Sequence, residues 1–357
     1  RVGQQEVCDW FFPAATAKGY ELPIINEIWD VLRAFASFGF CKAHAAAFAL
    51  PTYQSAWLKT HYPAAFLAAV LTHDPGMYPK RLIVDEARQM GITIAPIDVN
   101  ASDSVYRVED HGNAIRIALS TVSGISDGEV QSIIAGRPYI DLNDFVRRSG
   151  CSTPVTESLI LTGGFDSLHS DVNRRDLLLH FSDLQKSPSA AVSGAQMNLG
   201  FEPPALISSG LPAMTASESV KHEIDRLGID MSRHMIEFYG EFLNAIGAVR
   251  SSDLLKQRSQ SSVLVAGIKV AMQTPPVRSG KRVIFLTLDD GYGCSDSTFF
   301  TDVQSEYANV LYSTSLLLVR GVTRRTGARG ISIRATGAWD LRAAYESWSA
   351  KQSTLAI

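Results

Sequence analysis

Apolar residues recur at three- and four-residue spacings through the first part of the chain. In IINEIWDVLRAFASF, Ile25, Ile28, Trp29, Leu32, Phe35 and Phe38 fall on one stripe and predict an amphipathic helix. Pro51 suits the first turn of a new helix, PTYQSAWLKTHY, which Pro63 interrupts. Turn residues gather in HDPGMYP, after which RLIVDEARQMG predicts another helix stopped by Gly91. ITIAPIDVN and IRIALSTV then alternate as short strands do.

From Val122 the spacing returns to helical. VSGISDGEVQSIIAGRP is a glycine-containing turn followed by an amphipathic helix, and DLNDFVRRSGCSTPVTESLILTGGFDSL repeats the arrangement with a Gly-Gly stop. A Pro, Ser, Ala and Gly-rich stretch, 187–216, predicts a linker. ASESVKHEIDRLGIDM gives one more helix. Five strand-like segments close the chain: SSVLVAGIKVAMQ, KRVIFLTLDD, DSTFFTDV, SLLLVRGVTRR and GISIRATGAW. Five short strands divided by turns predict a small barrel or sandwich.

Composition excludes more than it selects. An apolar fraction of 46% and a charged fraction of 19% are ordinary for a globular protein. The longest apolar run, PAAFLAAVL, is far short of the ~20 residues of a membrane span. Four scattered cysteines form no CxxC or Cys/His spacing, which fits a reducing cytoplasm and gives neither a zinc nor a disulfide framework. The eight histidines show no ligand pattern, and no P-loop, HExxH or Ser/His/Asp order is present. The first residue is Arg1 rather than Met, inside text that already reads as folded, so a piece of a longer chain is expected.

Charge is informative only locally. Between Arg250 and Arg334 twelve Lys and Arg stand against six Asp and Glu, within a chain whose net charge is −3. A basic barrel is the footprint of a polyanion. Its Phe285, Phe299, Phe300 and Tyr307 are available as stacking faces for single-stranded nucleic acid, although for any individual Phe the barrel core is the better reading. Lys269, Arg278, Lys281, Arg282 and Phe285 are the candidate contacts there. In the earlier turn, Ser123, Gly124, Ser126 and Gly128 would present backbone amides to a phosphate, with Ser126 where a GxG hairpin has its second glycine. A capped αα-hairpin without ligand fits the same residues. Asp289-Asp290 is not a metal pair, because consecutive strand residues face opposite ways; the two belong to a turn and its local backbone bonds.

Two features resist a purely structural account. FGFCKAHAAAFAL holds Lys42 and His44 inside an otherwise apolar segment. Either Lys42 snorkels to the surface and His44 is a satisfied core histidine, or both face an anion. In the linker, QMNLGF places Gln196, Met197, Leu199 and Phe201 where little else can pack, as a chance apolar cluster or a peptide for a partner's groove.

Taken together, FASFGFCKAHAAAFALPTYQSAWLKTHYPAAFLAAVLTHDPGMYPKRLIVDEARQMGI, GISDGEVQSIIAGRPYIDLNDFVRR and VLVAGIKVAMQTPPVRSGKRVIFLTLDD resemble the C-terminal part of bacterial C-family DNA polymerases, the DNA polymerase III alpha chains. The resemblance covers essentially the whole chain. It implies a multidomain α+β protein: fingers (1–80), a small α/β connecting region (81–120), a tandem helix-hairpin-helix DNA-binding domain (121–186), a linker with a clamp-binding motif (187–216), a helical connector (217–260), an OB-fold barrel (261–341) and a tail (342–357). It further implies that Lys42 and His44 lie near incoming nucleotide and template, and that Gln196, Met197, Leu199 and Phe201 match a QLxLxF peptide for the β sliding clamp. Primer-template DNA and single-stranded DNA are the other implied partners. Cys41, Ala43 and Phe48, with LTHDPGMYP, lean towards the error-prone, translesion branch; the main replicative alpha chain, or a stand-alone hairpin and OB adaptor without catalysis, are the alternatives. The whole enzyme would use Mg2+ and dNTP, but the resemblance places the catalytic palm upstream, so no catalytic or metal residue and no activity of this chain alone are expected.

Overall fold

The computed structural model describes residues 2–36, 42–76, 78–186, 205–275, 282–328 and 330–355. Contacts divide the chain into two units, 1–61 and 62–357. The first contains α1 (Val2–Ala17), α2 (Leu22–Ala36) and α3 (Lys42–His61). Phe11 stacks on Trp29 at 5.6 Å and joins α1 to α2, the helix that the sequence pattern predicts. The predicted restart at Pro51 is corrected: α3 runs straight through it. A proline forfeits its own amide bond to the preceding turn, and Thr52 Oγ1 donates to the Phe48 carbonyl beside it at 2.7 Å.

The second unit opens with α4 (Pro63–His73), where proline at the first helical position loses nothing. Ala64, Leu67, Ala68 and Leu71 form its buried stripe. Next come α5 (Lys80–Gln89), ended at Gly91 with φ +79°, and a three-stranded sheet of β1 (Thr93–Ala95), β2 (Arg107–Glu109) and β3 (Ala114–Arg116). Its order is β1-β3-β2, with β1 parallel and β2 antiparallel to β3.

Two helical hairpins follow. A 3-10 turn at Leu119–Thr121 leads through Gly124 into α6 (Asp127–Ala135), and α7 (Leu142–Ser149) turns at Gly150 into α8 (Thr153–Leu161). Gly124 (φ +80°) and Gly150 (φ +66°) hold left-handed backbone, which explains glycine at both turns. Phe145 meets Tyr139 and Phe165 edge-to-face, 4.9 Å from each, within one core extending from Ala64 to Met231. α9 (Arg174–Lys186) and α10 (Ala216–Leu227) complete this body; α10 starts on a Thr215–Glu218 capping box and stops at Gly228.

α11 (Gly240–Ala245) and α12 (Ser251–Leu254) lead into the barrel. β4 (Ser262–Gln273), β5 (Ile284–Asp289), β6 (Cys294–Phe299), β7 (Leu316–Arg325) and β8 (Ile331–Asp340) close in the order β4-β5-β6-β8-β7. With α13 (Thr301–Ser313) between the third and fourth strands, this is the expected OB-type barrel. Gly267 is required by the fold, since a Cβ there would stand 2.7 Å from the Asp289 carbonyl. One boundary differs from expectation: Thr301, Asp302 and Val303 of DSTFFTDV open α13 instead of extending a strand. Val303, Tyr307, Val310 and Leu311 then pack against the barrel core, so helical spacing takes over at Thr301. α14 (Leu341–Leu355) lays Tyr345 and Trp348 on Phe242 of α11. Among the described residues no helix is long and apolar enough to cross a membrane.

Candidate nucleic-acid interface

The first hairpin turn is exposed at Ser123, Gly124, Ser126, Asp127 and Gly128. Ser126 is the N-cap of α6, and its φ of −92° explains why serine serves where a GxG turn has glycine. Its hydroxyl accepts from the Glu129 amide, while Glu129 Oε2 takes the Ser126 amide (2.9 Å) and hydroxyl (2.8 Å). The Ser123 amide is also engaged, donating to the Arg226 carbonyl at 2.8 Å. The first-turn amides of Asp127 and Gly128 have no intrahelical acceptor. Here the helix end could meet a phosphate, with the Gly124 backbone beside it.

Glu129 also reaches the second hairpin. Its Oε1 accepts from the Ser152 amide (3.0 Å) and hydroxyl (2.7 Å) at the start of α8. Those bonds, Ser152 first and then Ser126, pull the Glu129 carboxyl down to about 2. One internal anion therefore serves the N-termini of α6 and α8 together.

The barrel presents a second polar surface. Phe285 is 45% and Phe300 40% exposed, whereas Phe299 is fully buried in the core. Alternation along β5 and β6 sets this, and Phe285 lies opposite Thr298 on the outer face. A groove of about 670 Å3 is lined by Gln260, Phe300, Thr301, Arg324, Arg334 and Thr336. A second of about 620 Å3, lined by Phe285, Thr298, Phe300, Arg324 and Ser332, shares Phe300 and Arg324 with it. The Arg334 guanidinium lies over the Phe300 ring at 5.5 Å and 3.4 Å from Asp302. Arg324 and Arg334 thus share one trough with the exposed rings of Phe285 and Phe300, and with Asp296 and Asp302; cations beside rings suit a phosphodiester chain with unpaired bases.

The candidate residues distribute unevenly over this surface. Phe285 and Arg282 are exposed beside the trough. Lys269 points elsewhere: its ammonium donates to the Leu311 carbonyl near the end of α13 at 2.8 Å, and burial lowers its pKa. Arg278 and Lys281 lie outside the described residues, as do Gln196, Met197, Leu199 and Phe201. Tyr307 is turned towards the core and meets the Trp339 ring at 5.9 Å. Arg324 and Arg334, counted only as part of the basic total, are the cations that line the trough. Their β7–β8 pairing could not be read from local pattern.

In the first unit Lys42 opens α3, and its side chain is outside the described part. His44 is exposed and rests its ring on Phe48 at 4.6 Å. Of the two readings of His44, the satisfied core histidine does not hold within its unit, where α3 leaves this face uncovered.

Asp289 and Asp290 diverge as expected. Asp290 accepts from the Ser251 amide (2.7 Å) and hydroxyl (2.6 Å), and each carboxylate also takes the amide two residues on. Asp289 turns instead into a buried cluster with Asp85, Asp230 and His234. Burial raises the Asp230 pKa and pushes Asp85 up to about 7.

Residues 91–177 match the helix-hairpin-helix motif family. With the closed barrel, the chain is of the class that joins tandem helical hairpins to an OB-type module. An error-prone DNA polymerase of Symbiobacterium thermophilum is 32% identical, over 90% of this chain and 34% of its own length. One from Bdellovibrio bacteriovorus is 29% identical over 85% of this chain, and the DNA polymerase III subunit alpha of Vibrio cholerae is 29% identical over 95%. The chain is homologous, along nearly all its length, to the DNA polymerase III alpha and error-prone DNA polymerase chains, and spans about a third of the length of these relatives.

Proposed function

We propose that this chain is the DNA-handling C-terminal part of a DNA-directed DNA polymerase working in the cytoplasm in translesion synthesis. The observation that carries the reading is homology extending from the helices of the first unit through both hairpins and the barrel. In this reading the hairpin turn at Gly124 and Gly128 holds the backbone of primer-template DNA through amides, independently of sequence. The barrel trough takes single-stranded DNA, with Arg324, Arg334 and Arg282 on phosphates and Phe285 and Phe300 under bases. Lys42 and His44 contact incoming nucleotide or template, which the exposure of His44 supports. Gln196, Met197, Leu199 and Phe201 bind the β sliding clamp.

Relatives named DNA polymerase III subunit alpha match about as well as the error-prone ones, and they favour a replicative role as the second reading. Mg2+ and dNTP belong to the whole enzyme. Among the described residues Asp296 accepts from Thr287, Asp302 pairs with Arg334, and the grouping of Asp85, Asp230 and His234 is buried, so none of these fits a two-metal nucleotidyl-transfer centre. No chemical step is assigned to these residues. The test is primer extension across an abasic template by the full-length polymerase carrying this segment. Bypass supports the translesion role, whereas extension of undamaged template only, with arrest at the lesion, supports the replicative reading.

A further inference from the structure

Asp85 on α5, Asp230 and His234 in the segment after α10, and Asp289 at the end of β5 converge between the helical body and the barrel. Their relative exposures are 1%, 0%, 2% and 1%. Each side chain has one polar atom held and one turned inward. Asp85 Oδ1 takes the Arg88 guanidinium at 2.5 Å, Asp230 Oδ2 the Met235 amide at 3.4 Å, and Asp289 Oδ1 the Gly291 amide at 3.0 Å. His234 Nδ1 takes the Ile236 amide at 3.2 Å. The four remaining atoms, Asp85 Oδ2, Asp230 Oδ1, His234 Nε2 and Asp289 Oδ2, are buried and have no hydrogen-bond partner among the described residues.

Buried polar atoms without partners are costly, and those of Asp85, Asp230 and His234 lie close enough together to share one. Ligand atoms of Asp85, Asp230 and His234 all lie within 4.8 Å of one another. His234 Nε2 is 3.6 Å from Asp85 Oδ2 and 3.4 Å from Asp289 Oδ2. These separations are long for hydrogen bonds. The Asp85–His234 separation approaches the edge of a tetrahedron with bonds of about 2.0–2.1 Å, which is about 3.3–3.4 Å.

We propose that Asp85, Asp230 and His234 bind a structural divalent transition-metal ion, zinc in the first instance, and that this site, with Asp289 of β5 against His234, pins α5 and the segment after α10 to the barrel. The carboxylates of Asp85, Asp230 and Asp289 face the cations of Arg81 and Arg88 as well as the ion; the second nitrogen of Arg88 also holds the Asp230 and Met231 carbonyls. Arg88 thus supplies the outer-shell anchor that metal sites use to orient a ligand. Its three ligand side chains are all buried, so the site is structural in type. Coordination through Nε2 leaves the ring proton on Nδ1, so the Ile236 amide gives up its contact when the ion binds. The inference is independent of the polymerase reading, because it concerns only how the parts are joined.

The test uses the whole 357-residue chain, stripped with chelator and dialysed against Zn2+, or separately Mn2+. One equivalent of zinc per chain with a raised melting temperature is expected. Asp230→Asn and His234→Gln should each weaken affinity at least tenfold, while His44→Gln leaves it unchanged. X-ray absorption on the zinc-loaded wild type should show nitrogen and oxygen neighbours, with histidine scattering and no sulfur. Absence of stoichiometric uptake, uptake of manganese alone, equal binding by the cluster variants, or a sulfur shell would each overturn the proposal. The absorption arm keeps it testable if a variant fails to fold.

Discussion

Glu129 and Ser152 join the two helical hairpins: one carboxylate oxygen accepts both the amide and the hydroxyl of Ser152, at 3.0 and 2.7 Å, while the other closes the capping box on Ser126. A residue whose sequence position predicts only a local cap therefore fixes how α6 and α8 start relative to each other. Its negative charge lies where both helix ends favour an anion.

Replacing Glu129 by Gln should lower stability by roughly 1 kcal/mol at neutral pH, allowing for the solvent screening of a partly exposed group. The sign of the pH dependence follows from a folded pKa of about 2 against the ordinary 4.5. The contribution is fully present above about 4.5 and is lost as pH falls towards 2. Urea denaturation should show the wild-type advantage shrinking across that window, and a gap constant from pH 6 to 2.5 would refute the tie.

Gly124→Ala tests the turn itself. A Cβ there meets nothing within 4 Å, so the cost comes from its φ of +80° alone. A loss of about 1–2 kcal/mol is expected. A neutral result in thermal unfolding would show that the turn readily adopts another backbone.

Single-stranded oligonucleotide binding, followed by fluorescence anisotropy, should weaken steeply between low and moderate salt as released counterions return. Phe285→Ala and Phe300→Ala should each cost about 1–3 kcal/mol of affinity if a base stacks on the ring. Arg324→Gln should flatten the salt slope by about one phosphate. Salt-independent binding would remove the trough from the DNA path.

Gln196, Leu199 and Phe201 changed together to Ala should abolish binding to the β sliding clamp in surface plasmon resonance, with single-stranded DNA binding intact. Retained clamp binding would place that contact elsewhere on the chain.

Local features were legible in the residues: the helical stripe of α2, the break at Pro63, the glycine stop of α5, and five strands from five strand-like runs; the glycine stop of α10 at Gly228 was not. Each depends on neighbours a few positions away, where chain periodicity and backbone sterics decide. Pro51 and Thr301 mark the limit, since one helix tolerates its proline and one strand yields to packing beneath the barrel. The exposure of Phe285 and Phe300 beside a buried Phe299 depended on which strands pair. The cluster of Asp85, Asp230, His234 and Asp289 was beyond sequence reading altogether, because its members come from three distant segments. Folding brings them together, and burial turns ordinary aspartates into groups that need a partner. Local pattern was enough for most of the elements, because periodicity is a short-range property; where packing overrode it, and which polar atoms reach solvent, depended on the assembled fold.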